Sequence, residues 1–450
     1  MSRNTTLIKN GTIVNEGCSL SGALLLVNDK IEIIIPDGEV LPEADKIIDA
    51  KGMLVIPGLI DDQVHFREPG NTNKGTISSE SGAAVLGGVT SYMDMPNNNP
   101  PSSTVESLRF KDSIASKESY ANYSFYLGAT NDNIEEIRVA DPSEICGLKV
   151  FMGSSTGNIL VDNPESLEQI FSESPLLIAT HCEYEPLIKK NLSKAIEKYG
   201  ESNIPFSEHY LIRDRNSCVE SSKIAIDLAL RHNSRLHILH ISTEEEIEMI
   251  KMASQNSPKI TGEVCVHYML LDNTMYDTLG SKMKCNPSVK ESRDREAIIR
   301  AVKEGVIRVV ATDHAPHTKE EKARGYLNAP SGLPLVQHSL QIMLDLVKCG
   351  IFTIEEIVDR MCHSPADNFK VSKRGYIREG YYADIAIVDM NKPDGESTKS
   401  PAYLCGWSPF EGRIFGASII HTFVNGQQVV KDGKLTGEKA GRKLKFEYGK

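Results

Sequence analysis

Eight short apolar, β-rich segments recur through the middle of the chain, at 53–60, 89–95, 123–129, 145–152, 175–181, 235–242, 259–266 and 306–313. Most connections between them contain a plausible helix. Residues 76–86 end at Gly87-Gly88, a pair suited to a left-handed C-terminal cap. Residues 243–253 open on Ser242-Thr243 with Glu245 and Glu246 in the first turn. Further helices are predicted at 291–303, 335–348 and 354–362, and 268–290 is the least regular connection. Strand–helix alternation predicts parallel strands. Eight such units predict an α/β fold, a (β/α)8 TIM barrel with its site at the C-terminal strand ends.

The chain ends read differently. Residues 5–52 and 376–435 hold strand-like pieces separated by Gly and Asn turns. Asn425-Gly426 lies between two apolar runs, the strongest short hairpin signal. Two small β segments flanking one barrel most simply pack together. The expected division is 1–52 with 373–450 as a composite β-sandwich domain, and 53–372 as the barrel.

A net charge of −11 makes nucleic acid or an anionic membrane an unfavourable partner. It leaves an anionic small substrate open, because salt screens distant charge and a local Arg outweighs it. The nine cysteines are scattered, odd in number and form no CxxC, which predicts free thiols in a reducing cytoplasm. The first residues lack a signal-peptide apolar region. No apolar stretch approaches the roughly 20 residues that a membrane helix needs.

The strand ends carry the chemistry. Asp61-Asp62-Gln63-Val64-His65-Phe66-Arg67 follows the first apolar run, and alternation places Gln63, His65 and Arg67 on one face. Met95-Pro96-Asn97 follows the second segment, Lys149 lies within the fourth, His181 ends the fifth, His240 lies in the sixth, and Asp313-His314-Ala315-Pro316-His317 ends the eighth. Each has a plainer reading. A lone buried histidine is more often a hydrogen-bonded core residue than a ligand. His209, His232 and His237 keep that reading. Asp313 alone reads equally as a helix cap. Lys149 is harder to set aside, since an amine in an apolar strand is costly unless it is paired, altered or snorkelling. A neutral amine adds CO2 to become a carbamate, an anion able to bridge two cations. Imidazole and carboxylate ligands suit zinc, with an open position for water.

These segments, with Cys285-Asn286-Pro287 and Ser408-Pro409-Phe410-Glu411-Gly412, resemble the dihydroorotase family of the amidohydrolase superfamily. The resemblance spans about 5–435. It implies reversible conversion of N-carbamoyl-L-aspartate to L-dihydroorotate and water. It implies His65, Lys149, His181, His240 and Asp313 as ligands of one or two Zn2+ ions, with Lys149 carboxylated. Asp313 matches the general acid/base. Arg67, Asn97 and His317 match groups that hold the substrate carboxylate, and Asn286 a contact to the ring. The expected assembly is a homo-oligomer, a dimer being the simplest.

Two departures stand out. Gln63 replaces the first histidine of the family's His-x-His, and an amide oxygen is a poor zinc ligand beside imidazole. Pro287-Ser288-Val289-Lys290 replaces the more usual Pro-Pro-Leu-Arg. Allantoinase and dihydropyrimidinase are the nearest rivals, but their substrates give less reason for a cation beside His65. A non-catalytic homologue serving as a partner subunit of aspartate transcarbamoylase is the alternative that Gln63 favours. Residues 317–332, rich in charge and with two glycines, read as a mobile lid or as a plain solvated loop.

Overall fold

The computed structural model describes residues 4–153 and 159–447. The outermost parts of the expected composite domain, 1–3 and 448–450, and the stretch 154–158 of the expected barrel lie outside the described residues.

Parallel strands alternate with helices through the middle of the chain. Leu59–Val64, Val89–Asp94 and Asn122–Phe125 pair in that order. Tyr126 interrupts the third segment. A second set then runs Leu127–Gly128, Leu148–Phe151, Ile178–His181, Leu236–Ile238, Ile260–Cys265 and Val309–Ala311, every pair parallel. Val64 also bridges His314 in parallel, and the His65 N–H donates to the His314 carbonyl at 2.7 Å. The first and last strands of the series therefore meet.

The predicted helices form where local chemistry starts them. Thr76 caps Ile77–Leu86 in a reciprocal capping box with Ser79. At its C-terminal end Gly88 takes the left-handed conformation (φ 83°), while Gly87 does not. Thr243 caps Glu244–Asn256 by accepting from the Glu246 N–H. The irregular region 268–290 holds only short turns of helix, among them Asn273–Met275, Tyr276–Leu279 and Gly280–Met283.

The segment expected as one strand at 53–60 divides at Gly58. Leu54–Pro57 pairs with Thr5–Asn15 on one side and Ile385–Asp389 on the other, so it is the seam of a nine-stranded sheet built from both chain ends. A Cβ at Gly58 would come within 2.7 Å of the Thr90 side chain, which is why the crossing point is glycine. The Asn425-Gly426 turn joins Ser418–Val424 to Gln427–Lys431, with both turn residues at positive φ. Near the C-terminus, Lys443 bridges Tyr123 of the strand series and Phe446 bridges Val371. Leu444 and Phe446 pack there with Ile60, Tyr126, Leu177 and Phe369.

Candidate active site

His65, Arg67, Asn97, Lys149, His181, His240, Asn286, Asp313 and His317, the nine residues singled out from sequence, all line one cavity. Gln63, Phe151, Ala315 and the segment Pro330-Ser331-Gly332 complete it.

The backbone delivers several of them by unusual means. Arg67, His240 and Asp313 have φ of 69°, 39° and 51°, the left-handed region that non-glycine residues avoid. Such conformations cost on the order of 1–3 kcal/mol each and persist only where the surroundings impose them. The pairing of Leu59–Val64 with its neighbour shifts register between Asp61 and Val64. Irregularities of this kind re-aim side chains beside sites. Here Asp61 accepts from the Thr312 hydroxyl at 2.6 Å, while Gln63, two residues on, lines the cavity.

Two groupings stand out. In the first, one oxygen of Asp313 is met by His65 Nε2 at 3.0 Å and by the Gln63 amide, which donates at 3.1 Å. The other ring nitrogen of His65 lies 2.6 Å from Asn97 Oδ1. In the second, His181 Nδ1 and His240 Nε2 face each other at 2.9 Å with their rings edge to face. His181 Nε2 is held by Glu183 at 2.9 Å, and Arg213 pairs with Glu183 in turn. Burial holds both histidines below the usual imidazole range, against the pull of Glu183 on His181.

Lys149 is fully buried, its amine 4.5 Å from the centre of the Phe151 ring. No hydrogen bond or ion pair holds that amine among the described residues. Burial lowers it to about 8, with Asp313 opposing. A substantial neutral fraction near neutral pH is what carbamate formation needs.

Arg67 occupies the cavity's other side. Its Nε donates to the Pro316 carbonyl at 3.0 Å, and one terminal nitrogen lies 3.1 Å from His317 Nε2. The segment 317–332 is stitched down. The buried Lys322 amine donates to the carbonyls of Lys284, Pro330 and Gly332 at 3.0–3.1 Å. Lys284 in turn donates to Tyr326 and Ala329, each at 2.6 Å. Trp407 Nε1 donates to the His317 carbonyl at 2.7 Å.

Sequence reasoning passed over Glu183, although alternation beyond His181 carries the signal, since 181 and 183 share a face. It also passed over the two buried lysines, because only the folded loop gives each its carbonyl partners.

A family model described as "Amidohydrolase family" matches residues 54–429. The dihydroorotase of Methanosphaera stadtmanae is 31% identical over 413 residues, 91% of this chain and 92% of the relative. That of Enterococcus faecalis is 33% identical over 434 residues, 94% and 97% of the two chains. The solved L-hydantoinase (dihydropyrimidinase) of Arthrobacter aurescens superposes with a TM-score of 0.93 at 25% identity, covering 99% of this chain and all of the other. These likenesses agree with the parallel strand series in implying a TIM-barrel fold. With the family model covering most of the sequence, the chain belongs to the amidohydrolase family.

Proposed function

We propose that the chain is a dihydroorotase, a hydrolase of cyclic amides that interconverts N-carbamoyl-L-aspartate with L-dihydroorotate and water. It matches relatives of that name over nearly their whole length. Arg67 carries the choice of substrate. It is buried, it lines the cavity beside His317, and no carboxylate lies within ion-pair reach of it among the described residues. A buried guanidinium without an anion is costly. Its planar fork matches a carboxylate in two parallel hydrogen bonds. The 6-carboxylate of dihydroorotate supplies that anion, whereas hydantoin and dihydrouracil have none. Asn97 and His317 flank the same position, and Asn286 faces the ring.

The donor set fits a divalent cation of the zinc class. Two imidazole nitrogens, of His181 and His240, converge at a separation that demands either a shared proton or a shared ion. Lys149, as a carbamate, adds an anionic oxygen beside them. His65 and Asp313 offer a second position, which Gln63 weakens, so one firmly held ion on Lys149, His181 and His240 is the favoured occupancy. When bound, the ion polarises the amide carbonyl and activates water.

The chain's own groups handle the protons. Asp313, its carboxylate fixed by His65 and Gln63, takes a proton from the attacking water in ring opening and gives it to the leaving ring nitrogen. Ring closure runs the same transfers backwards. In this reading residues 53–372 form a closed (β/α)8 barrel, and 1–52 with 373–450 form a β-sandwich domain. The nine-stranded sheet built from both chain ends supports the composite domain, and its seam strand Leu54–Pro57 moves the boundary from 53 to Gly58.

The fold similarity to the Arthrobacter hydantoinase favours a second reading, a dihydropyrimidinase-like enzyme. Steady-state turnover of dihydroorotate, dihydrouracil and hydantoin by zinc-loaded protein decides between them. Dihydroorotate should be hydrolysed far faster than the two rings without a carboxylate. Equal or faster turnover of dihydrouracil would overturn the assignment.

A further inference from the structure

Beneath the cavity, and contributing nothing to its lining, three ionisable side chains from three strands meet in a fully buried cluster. Asp62 comes from Leu59–Val64, His237 from Leu236–Ile238 and Glu263 from Ile260–Cys265. One ligand atom from each lies within 4.8 Å of the others. Among the described residues this is the one such group of His, Cys, Asp and Glu, and it is separate from the five ligands inferred from sequence. His237 Nε2 stands 3.2 Å from Asp62 Oδ2 and 3.4 Å from Glu263 Oε2.

We propose that Asp62, His237 and Glu263 form a second, structural site for a zinc-class divalent cation, distinct from the active centre. Four observations support it. The separations are long for N–H···O hydrogen bonds, which centre near about 2.9–3.0 Å. They match the edge between two ligands of a tetrahedral ion, roughly 3.3 Å for metal–ligand bonds of about 2.0–2.1 Å. Neither carboxylate oxygen of Asp62 receives a hydrogen bond, although the residue is 0% exposed. No Lys or Arg pairs with Asp62 or Glu263 among the described residues, so the two buried carboxylates face one imidazole and, at Glu263, one backbone N–H, with no cationic side chain. Buried carboxylates are neutralised by protons, by cationic side chains or by metal ions.

The imidazole is also set as a ligand. His237 Nδ1 lies 2.8 Å from Thr261 Oγ1, and that hydroxyl has its own acceptors in Leu236 O at 3.3 Å and Asn368 Oδ1 at 3.2 Å. The Asn368 amide nitrogen approaches Nδ1 too, at the longer distance of 3.2 Å. Asn368 Nδ2 can only donate, so the imidazole has two states, Nδ1 accepting with Nε2–H toward the carboxylates, or Nδ1–H donating to Thr261 with the Nε2 lone pair toward them, and a bound ion would select the second. A partner on the second ring nitrogen is the usual companion of a metal-bound histidine. The site would brace the active centre, because Glu263 Oε1 also accepts the backbone N–H of His240 at 3.3 Å.

The rival state is protonation. Burial and the neighbouring Asp62 push Glu263 well above the usual carboxylate range, so the state without an ion is a protonated Glu263. X-ray diffraction from the full chain, produced with zinc in the medium and recorded on both sides of the zinc absorption edge, separates the two. An anomalous peak between Asp62, His237 and Glu263, additional to any density at His181 and His240, is the expected result. Retained zinc, counted by mass spectrometry after dialysis, should fall by one equivalent per chain in Asp62→Asn and in Glu263→Gln. No peak in the cluster, with a zinc count equal in wild type and both variants, would overturn the proposal and leave a protonated Glu263. Neither readout depends on which cyclic amide the enzyme hydrolyses.

Discussion

Gln63 donates its side-chain amide to Asp313 Oδ1 at 3.1 Å, and His65 Nε2 reaches the same oxygen at 3.0 Å. Gln63, read from the sequence as standing in for a metal-binding histidine, thus holds the proposed general acid/base. It trades a ligand for an orienting hydrogen bond.

Gln63→His places an imidazole at this position. Zinc retained after dialysis should rise toward one additional equivalent per chain, measured by mass spectrometry against wild type. An unchanged count would show that Gln63 does not limit occupancy. Gln63→Ala instead removes one donor from a partly buried carboxylate that keeps His65, at a stability cost of about 0.5–1.5 kcal/mol readable by denaturant unfolding.

Arg67→Lys keeps the charge but loses the fork. A disrupted buried charge pair with the substrate carboxylate costs about 2–5 kcal/mol, so kcat/KM for dihydroorotate should fall roughly 30-fold or more. Residual turnover of dihydrouracil, which offers no carboxylate, should stay within about twofold. Parallel losses on both substrates would remove Arg67 from the carboxylate site.

Three buried lysines give the metal-free protein a pH dependence of definite sign. Burial lowers Lys149 to about 8, Lys284 to about 8 and Lys322 to about 7. The unfolded amines titrate near about 10.4. Between the folded and unfolded values the unfolded chain binds more protons, so these groups add stability as pH rises and withhold it fully below the folded values. For Lys149 the neutral-pH penalty is on the order of 3 kcal/mol. Lys149→Met should therefore be more stable than wild type at pH 7 without metal, and the difference should shrink toward pH 10. Denaturant midpoints across that range test it, and a constant difference would contradict the lowered amine.

Lys322→Met removes the donor from three carbonyls around the cavity rim, those of Lys284, Pro330 and Gly332. The Lys284 carbonyl keeps the Gly332 N–H at 2.9 Å, whereas those of Pro330 and Gly332 lose this donor, and a buried acceptor left without one costs about 1–3 kcal/mol. The loop 317–332 should become the first site of limited proteolysis. KM for dihydroorotate should rise more than kcat falls, because the rim is loosened while Asp313 is untouched. Unchanged protease resistance would mean that the amine is not what holds the loop.

Much of this was legible in the sequence. The strand–helix alternation, the Thr243 cap and the Asn425-Gly426 hairpin rest on local backbone chemistry, which neighbouring residues determine. The site residues were legible too, because ligand-type side chains recur at strand ends and only one face of a parallel series gathers strand ends together. The division at Gly58 was not, since 53–60 reads as one unbroken apolar run and only the partners on either side of Leu54–Pro57 separate it.

What the sequence alone determined is the kind of element at each position and the cast of chemically able residues. The tertiary structure decided which of them touch. His237 reads as an ordinary core histidine until strands far apart in sequence bring Asp62 and Glu263 against it. Gln63 reads as a defect until the first and last strands meet and set it on Asp313. The physical reason is the same in both cases. Local propensity depends on residues a few positions away, whereas the charge, burial and ligand geometry of a site depend on side chains that only strand pairing and a shifted register bring within a few ångströms of one another.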